Sequence, residues 1–173
     1  MFNEKVKAGG VFTVQCFDKD GNLKWTEENH NLVVNVGLQD MNTKYFSGSS
    51  YTAAWYIGLY GAGASNTPAA SDTMSSHAGW TEVTAYSQST RPACTFGTAT
   101  TADPSVITNS ASPATFSING TTTVGGAFLT SNNTKSGTTG ILFSASDFQS
   151  PGDRSVVNGD TLTVTYTFSL DAA

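Results

Sequence analysis

The chain has 173 residues, 12% of them charged, and a net charge of -5, with a pI near 4.7. That length suits one domain, which at this size buries roughly 70% of its extended surface. No Lys/Arg cluster supplies the electrostatic footprint of a nucleic-acid binder, and no apolar run approaches the roughly 18 residues of a membrane span.

The start, MFNEKVKAGG, lacks the apolar core of a secretory signal. Synthesis in a cytoplasm is therefore the expectation. Residues 1–10 are read as a basic N-terminal arm that orders on a partner, ahead of a single β-sandwich domain over residues 11–173. VFTVQCF reads as a strand with Phe12, Val14 and Cys16 on one face. DKDGN then makes a hairpin turn into LKWTEENH. Its spacing of Asp18, Asp20 and Asn22 resembles a calcium loop, but the sixth and twelfth positions hold Leu23 and Asn29 instead of Gly and Glu. A plain turn is the expectation.

After the short strand NLVV the period changes. Leu38, Met41 and Tyr45 fall on one helical stripe, with Asn35 as N-cap and Gly48 as stop. This predicts one short helix near 36–47, its stripe packed on a sheet. AAWYIGLYG is an apolar strand that places Trp55 in the core. WTEVTAYS and RPACTFGTAT read as further strands, and 100–112 as irregular chain. ATFSI is a strand ending at the turn Asn119-Gly120. The paired glycines of TVGGAFLTS predict a bulge or a close backbone approach, NNTKSGTTG a flexible loop, and ILFSASDF another strand. TLTVTYTFSL alternates strictly, with Leu162, Val164, Tyr166, Phe168 and Leu170 facing one way. Many short strands with little helix predict an all-β fold, an antiparallel β-sandwich or jelly-roll-like barrel. Cys16 and Cys94 are expected to be buried free thiols.

The span from Asp72 to Pro92, DTMSSHAGWTEVTAYSQSTRP, holds the densest group of functional residue types. A serine hydrolase needs a nucleophile at a sharp turn and a positioned base. Ser75 and Ser76 adjoin His77, but no GxSxG elbow is present, and His30 is the only other histidine. Asp72 and Glu82 are one nominal carboxylate pair among several. No local Cys/His pairs mark a metal site, and VGGAF lacks the lysine and following helix of a phosphate-binding loop. The expectation is a non-enzyme without cofactor or metal. Trp25, Trp55 and Trp80 invite a sugar-stacking reading, in which Trp25 is half-buried and Trp80 alone is displayed. The alternative is an interaction surface: Met74, His77, Trp80, Tyr86 and Arg91 are anchor-type residues in a long connection, and are read as candidate subunit or capsid contacts.

NLVVNVGL, WYIGLYG, DTMSSHAGWTEVTAYSQSTRPA, GAFLTSNNTKSGTTGILFSASDF and RSVVNGDTLTVTYTF together resemble a family of small proteins encoded by tailed bacteriophages. The resemblance runs from about Asn31 to Phe168. It implies a virion structural protein, foremost a capsid decoration (cement) protein. Such a protein would be made in the host bacterial cytoplasm, sit on the capsid surface, bridge major capsid protein subunits, and self-associate as a symmetric dimer or trimer. A tail, fibre or baseplate component with a receptor- or glycan-binding role is the alternative. The resemblance carries over no catalytic residue.

Overall fold

The computed structural model describes residues 5–48, 51, 53–61, 67–149 and 152–172. Two antiparallel sheets face each other with one helix at their side, the all-β sandwich the sequence predicts.

The first sheet holds β1 (Val6–Phe17), β2 (Leu23–His30), β6 (Ser105–Thr108), β7 (Ala114–Ser117) and β11 (Thr161–Ala172). Its order is β2-β1-β11-β6, with β7 on the same edge of β11 as β6, end to end. The β1–β2 hairpin closes at Asp18, whose Oδ1 accepts from the Asp20 and Asn22 backbone N–H groups at 2.9 Å each. Asp18 is thereby a turn-closing residue, and the N–H donors and the Asn22 amide hold its carboxyl below the usual range.

The second sheet holds β3 (Leu32–Val33), β4 (Tyr56–Gly61), β5 (Glu82–Val83), β8 (Thr122–Thr130), β9 (Leu142–Asp147) and β10 (Arg154–Val156), in the order β3-β9-β8-β4-β5, with β10 paired to the start of β8. Alternation puts Phe12, Val14, Phe116, Leu162, Val164 and Tyr166 from the first sheet against Ile57, Leu59, Val124, Ala127 and Leu129 from the second. Cys16 and Cys94 are buried free thiols in that core, as expected.

Several expectations shift. The arm assigned to residues 1–10 is strand from Val6 onward: Val6 to Gly10 pair with Ala172 to Phe168, so the chain ends are stitched together; residues 1–4 lie outside the described set. Strand β6 occupies part of the stretch read as irregular, while only Glu82–Val83 of WTEVTAYS, and no strand of RPACTFGTAT, is regular. Cys94 and Gly97 do make single backbone bonds, to the carbonyls of Trp55 and Thr108, but a run this irregular cannot continue either ladder. The Asn119-Gly120 turn joins no hairpin; it carries the chain from β7 in one sheet to β8 in the other. The paired glycines do mark a bulge: Tyr60 faces Gly126, Gly61 faces Val124, and Gly125 is the extra residue.

The helix, α1 (Asn35–Phe46), starts one residue early. Val34 is its cap, so Asn35 is the first helical residue and no side chain closes the end. The Val34 and Asn35 N–H groups bond instead to the Phe143 and Ala70 carbonyls, at 3.1 and 2.8 Å. Gly48, one residue past the C-cap Ser47, takes φ +63°, the left-handed stop the sequence predicts. The expected packing of the stripe holds in part: Met41 is half-buried against the main core, while Leu38 and Tyr45 are exposed. Gly37 alone is fully buried, pressed on the Phe143 backbone, and Val36 beside it packs on the second cluster.

Candidate functional site

The span from Asp72 to Pro92 does not present its anchor-type residues to solvent. It folds back over the outer face of the second sheet. On that face Gly58 lies opposite Phe128, and Gly126 opposite Tyr60, in β4 and β8. A Cβ on either glycine would run into the facing ring. Each aromatic therefore covers a glycine across the ladder, which leaves a shallow bowl of two rings. Trp80 fills it, with its ring 5.1 Å from Tyr60 and 5.2 Å from Phe128, and Met74, Val34, Leu142 and Ala145 complete a second apolar cluster.

Polar bonds fix the insert. Trp80 Nε1 donates to Asp72 Oδ2 at 3.1 Å, and the Ala69 N–H donates to the same oxygen at 3.0 Å. His77 stacks on Trp80 at 3.8 Å, and its Nδ1 lies 2.9 Å from the Trp80 carbonyl oxygen. A carbonyl only accepts, so Nδ1 carries the proton. Asp72 and His77 thus serve the indole.

Arg91 does the same for the next loop. It is 1% exposed, forked onto Glu82 through Nε to Oε1 (2.9 Å) and Nη2 to Oε2 (2.8 Å). Its remaining donors reach the Asn132 carbonyl at 2.8 Å and the Gly137 carbonyl at 3.0 Å. Glu82 Oε2 also accepts from the Ser136 N–H at 2.6 Å. Lys135 donates to the Tyr86 carbonyl at 2.7 Å and sits over the Tyr86 ring at 3.8 Å. The loop from 131 to 141, whose residues 132–140 are expected from sequence to be flexible, is therefore held by the buried ion pair at Asn132, Ser136 and Gly137 and by Lys135 between them. A cleft of about 240 Å³ between this loop and Trp80 is lined by His77, Glu82 and Arg91 among others, but the two charges answer each other.

Of the five predicted contact residues, Met74, Trp80, Tyr86 and Arg91 are buried in their own subunit, and His77 is half-buried against Trp80. They are corrected from contacts to internal locks. The nominal carboxylates Asp72 and Glu82 do not face each other across a cleft; one holds Trp80 and the other Arg91. His30 is exposed at the end of β2, in the other sheet from the cluster. Among the described residues no three of His, Cys, Asp and Glu gather where they could hold a metal ion, and no helix is long and apolar enough to cross a membrane.

The exposed apolar surface lies elsewhere. Tyr45 is 81% exposed, Phe46 78% and Val6 71%, with Leu38 and Tyr51 partly covered. Tyr45 and Phe46 pack edge to face at 4.8 Å and stand out from the end of α1. Together with Val6, Met41, Tyr51 and Leu170 they wall a cleft of about 600 Å³. It meets, at Met41, a second of about 420 Å³ that opens between the sheets onto Trp55, Phe96, Phe143 and Phe168. Trp55, expected in the core, is half-buried at this mouth, edge-on to Phe143 at 5.4 Å; Trp25 is half-buried as expected. Sequence reasoning missed this face because it assigned the helix stripe to the core. The usable signal was the adjacency of Tyr45 and Phe46: neighbours on a helix point roughly 100° apart, so a narrow buried stripe cannot hold both.

No family model matches the chain, and neither the curated proteins nor the solved structures contain a match.

Proposed function

We propose that this chain is a structural subunit of a tailed-bacteriophage virion, a decoration protein that binds the outside of the capsid and bridges major capsid subunits. What supports this reading is the exposed apolar face around Tyr45, Phe46 and Val6, which marks the chain as one member of an assembly. Contiguous apolar patches of several hundred Å² on a folded domain mark protein interaction sites. The reactive residue types of the Asp72–Pro92 span hold loops in place, which yields a rigid module with a preformed surface. Such a module loses little conformational freedom on docking. Repeated over a shell, even modest contacts add through avidity. Buried free thiols at Cys16 and Cys94 fit synthesis in a reducing bacterial cytoplasm. The glycan-binding alternative loses its displayed aromatic, since Trp80 is 3% exposed.

The test uses heads of the encoding phage stripped of this chain. Adding the purified protein back is expected to coat the heads and to raise the temperature at which they release DNA. Heads that neither bind the protein nor gain resistance would contradict the proposal.

A further inference from the structure

We propose that the α1 face is where two copies of this chain meet, the Tyr45–Phe46 pair of each seated in the cleft of the other. The inference rests on reading the chain as a subunit of an assembly, and it names the occupant of the exposed face.

Three observations favour a second copy. The first is area. Two aromatic side chains left about four-fifths exposed offer on the order of 300 Å², and Val6, Leu38 and Tyr51 extend the same surface. Together the five offer on the order of 600 Å², about three quarters of the roughly 800 Å² that one partner contributes to a stable interface. The second is shape. The protruding aromatic pair forms one wall of a cleft of about 600 Å³, which runs at Met41 into another of about 420 Å³. A knob and a hole side by side on one face are self-complementary under a two-fold axis, because the contact of knob with hole is made twice. Aromatic side chains filling apolar pockets are also the usual centre of a tight interface.

The third is charge. Among the described residues, the only charged one lining these two clefts is Lys44, and Asp40 accompanies it in an adjoining cleft of about 310 Å³ that also holds Tyr51 and Trp55. Two copies each with a net charge of -5 repel over most of their surfaces. They meet most easily where the surface is locally neutral and mostly apolar. A partner chosen for the whole molecule's negative charge would instead be expected to contact an acidic surface.

Sedimentation velocity of the full chain across a concentration series tests this. The wild type is expected to form a dimer, and Phe46→Asp to weaken association at least 100-fold with an unchanged circular dichroism spectrum and the melting temperature of wild type diluted to monomer. Leu23→Asp, which alters an exposed leucine on β2, is expected to leave association intact. A wild type that stays monomeric at several hundred micromolar overturns the proposal, as does a dimer indifferent to Phe46→Asp. Head binding separates the two readings. A monomer that coats heads through Phe46 gives this face to the shell and defeats the dimer alone. A Phe46-dependent dimer that ignores heads supports the dimer and defeats the virion role.

Discussion

Arg91 and Trp80 show how residues that look reactive act as internal fasteners. Arg91 leaves solvent to satisfy one carboxylate and two loop carbonyls at once. Removing one member of a buried pair leaves the other charged and unpaired, at a cost of about 3–5 kcal/mol. Arg91→Ala and Glu82→Gln are both expected to lower the unfolding free energy by that order, read as a fall in the urea midpoint. Arg91→Lys is expected to recover little, because an ammonium cannot fork onto Glu82 and still reach both carbonyls; full recovery in a urea melt would contradict the geometry. Trp80→Phe keeps an aromatic in the bowl but strips Asp72 of its indole donor, and should cost about 1–2 kcal/mol by the same measurement. The residue types here were legible in the sequence and their direction was not. Nothing in DTMSSHAGW states whether the indole faces water. The information sits in Gly58 and Gly126, some distance away in sequence, which make the bowl only once β4 and β8 are paired.

At the scale of elements, strands with strict alternation were readable. β1, β2 and β11 fall where the period of two places them, and the Asp18 turn closes as a plain turn. The region from 91 to 100 was not, because Cys94 and Phe96 alternate like a strand while its backbone bonds go singly to different segments; β6 was missed for the opposite reason, lying in a polar stretch that shows no strand pattern. The helix was placed within a residue or two, yet its buried side was misjudged. Its closest approach is Gly37 against the Phe143 backbone, a contact with no hydrophobic signal, flanked by the half-buried Val36 and Met41. Gly37→Ala puts a methyl group into that backbone, and overpacking of this kind costs about 1–3 kcal/mol. The expected readout is faster amide hydrogen exchange throughout α1 with the sheets unchanged; unaltered protection of the helix would show that it docks some other way. The loop from 131 to 141 gives a companion prediction. Its Ser136 N–H, bonded to Glu82, should exchange slowly in the wild type and at least tenfold faster in Arg91→Ala. Equal rates would return the loop to the flexible state its composition suggests.

For the whole molecule, burial of ionisable groups sets an alkaline limit. Burial raises the Cys94 thiol to about 12, and burial with the nearby Asp160 carboxylate raises Cys16 to about 11. Burial likewise raises the phenols of Tyr60, Tyr86 and Tyr166 above their ordinary range. An unfolded chain releases thiol protons near pH 8.5 and phenol protons near pH 10. Above those values the folded state binds more protons than the unfolded one, so stability falls as pH rises. The urea midpoint is expected to be level up to about pH 8.5 and to decline beyond it, more steeply past pH 10. A midpoint that holds or rises to pH 11 would contradict the burial of these groups.

The proposed role depends on how many copies of this rigid, apolar-faced sandwich a particle carries, and where. Quantitative mass spectrometry of purified virions of the phage proposed to encode the chain, with heads and tails separated, measures both. The account predicts hundreds of copies per particle, all in the head fraction. A handful of copies in the tail fraction, or none in the particle, would contradict it.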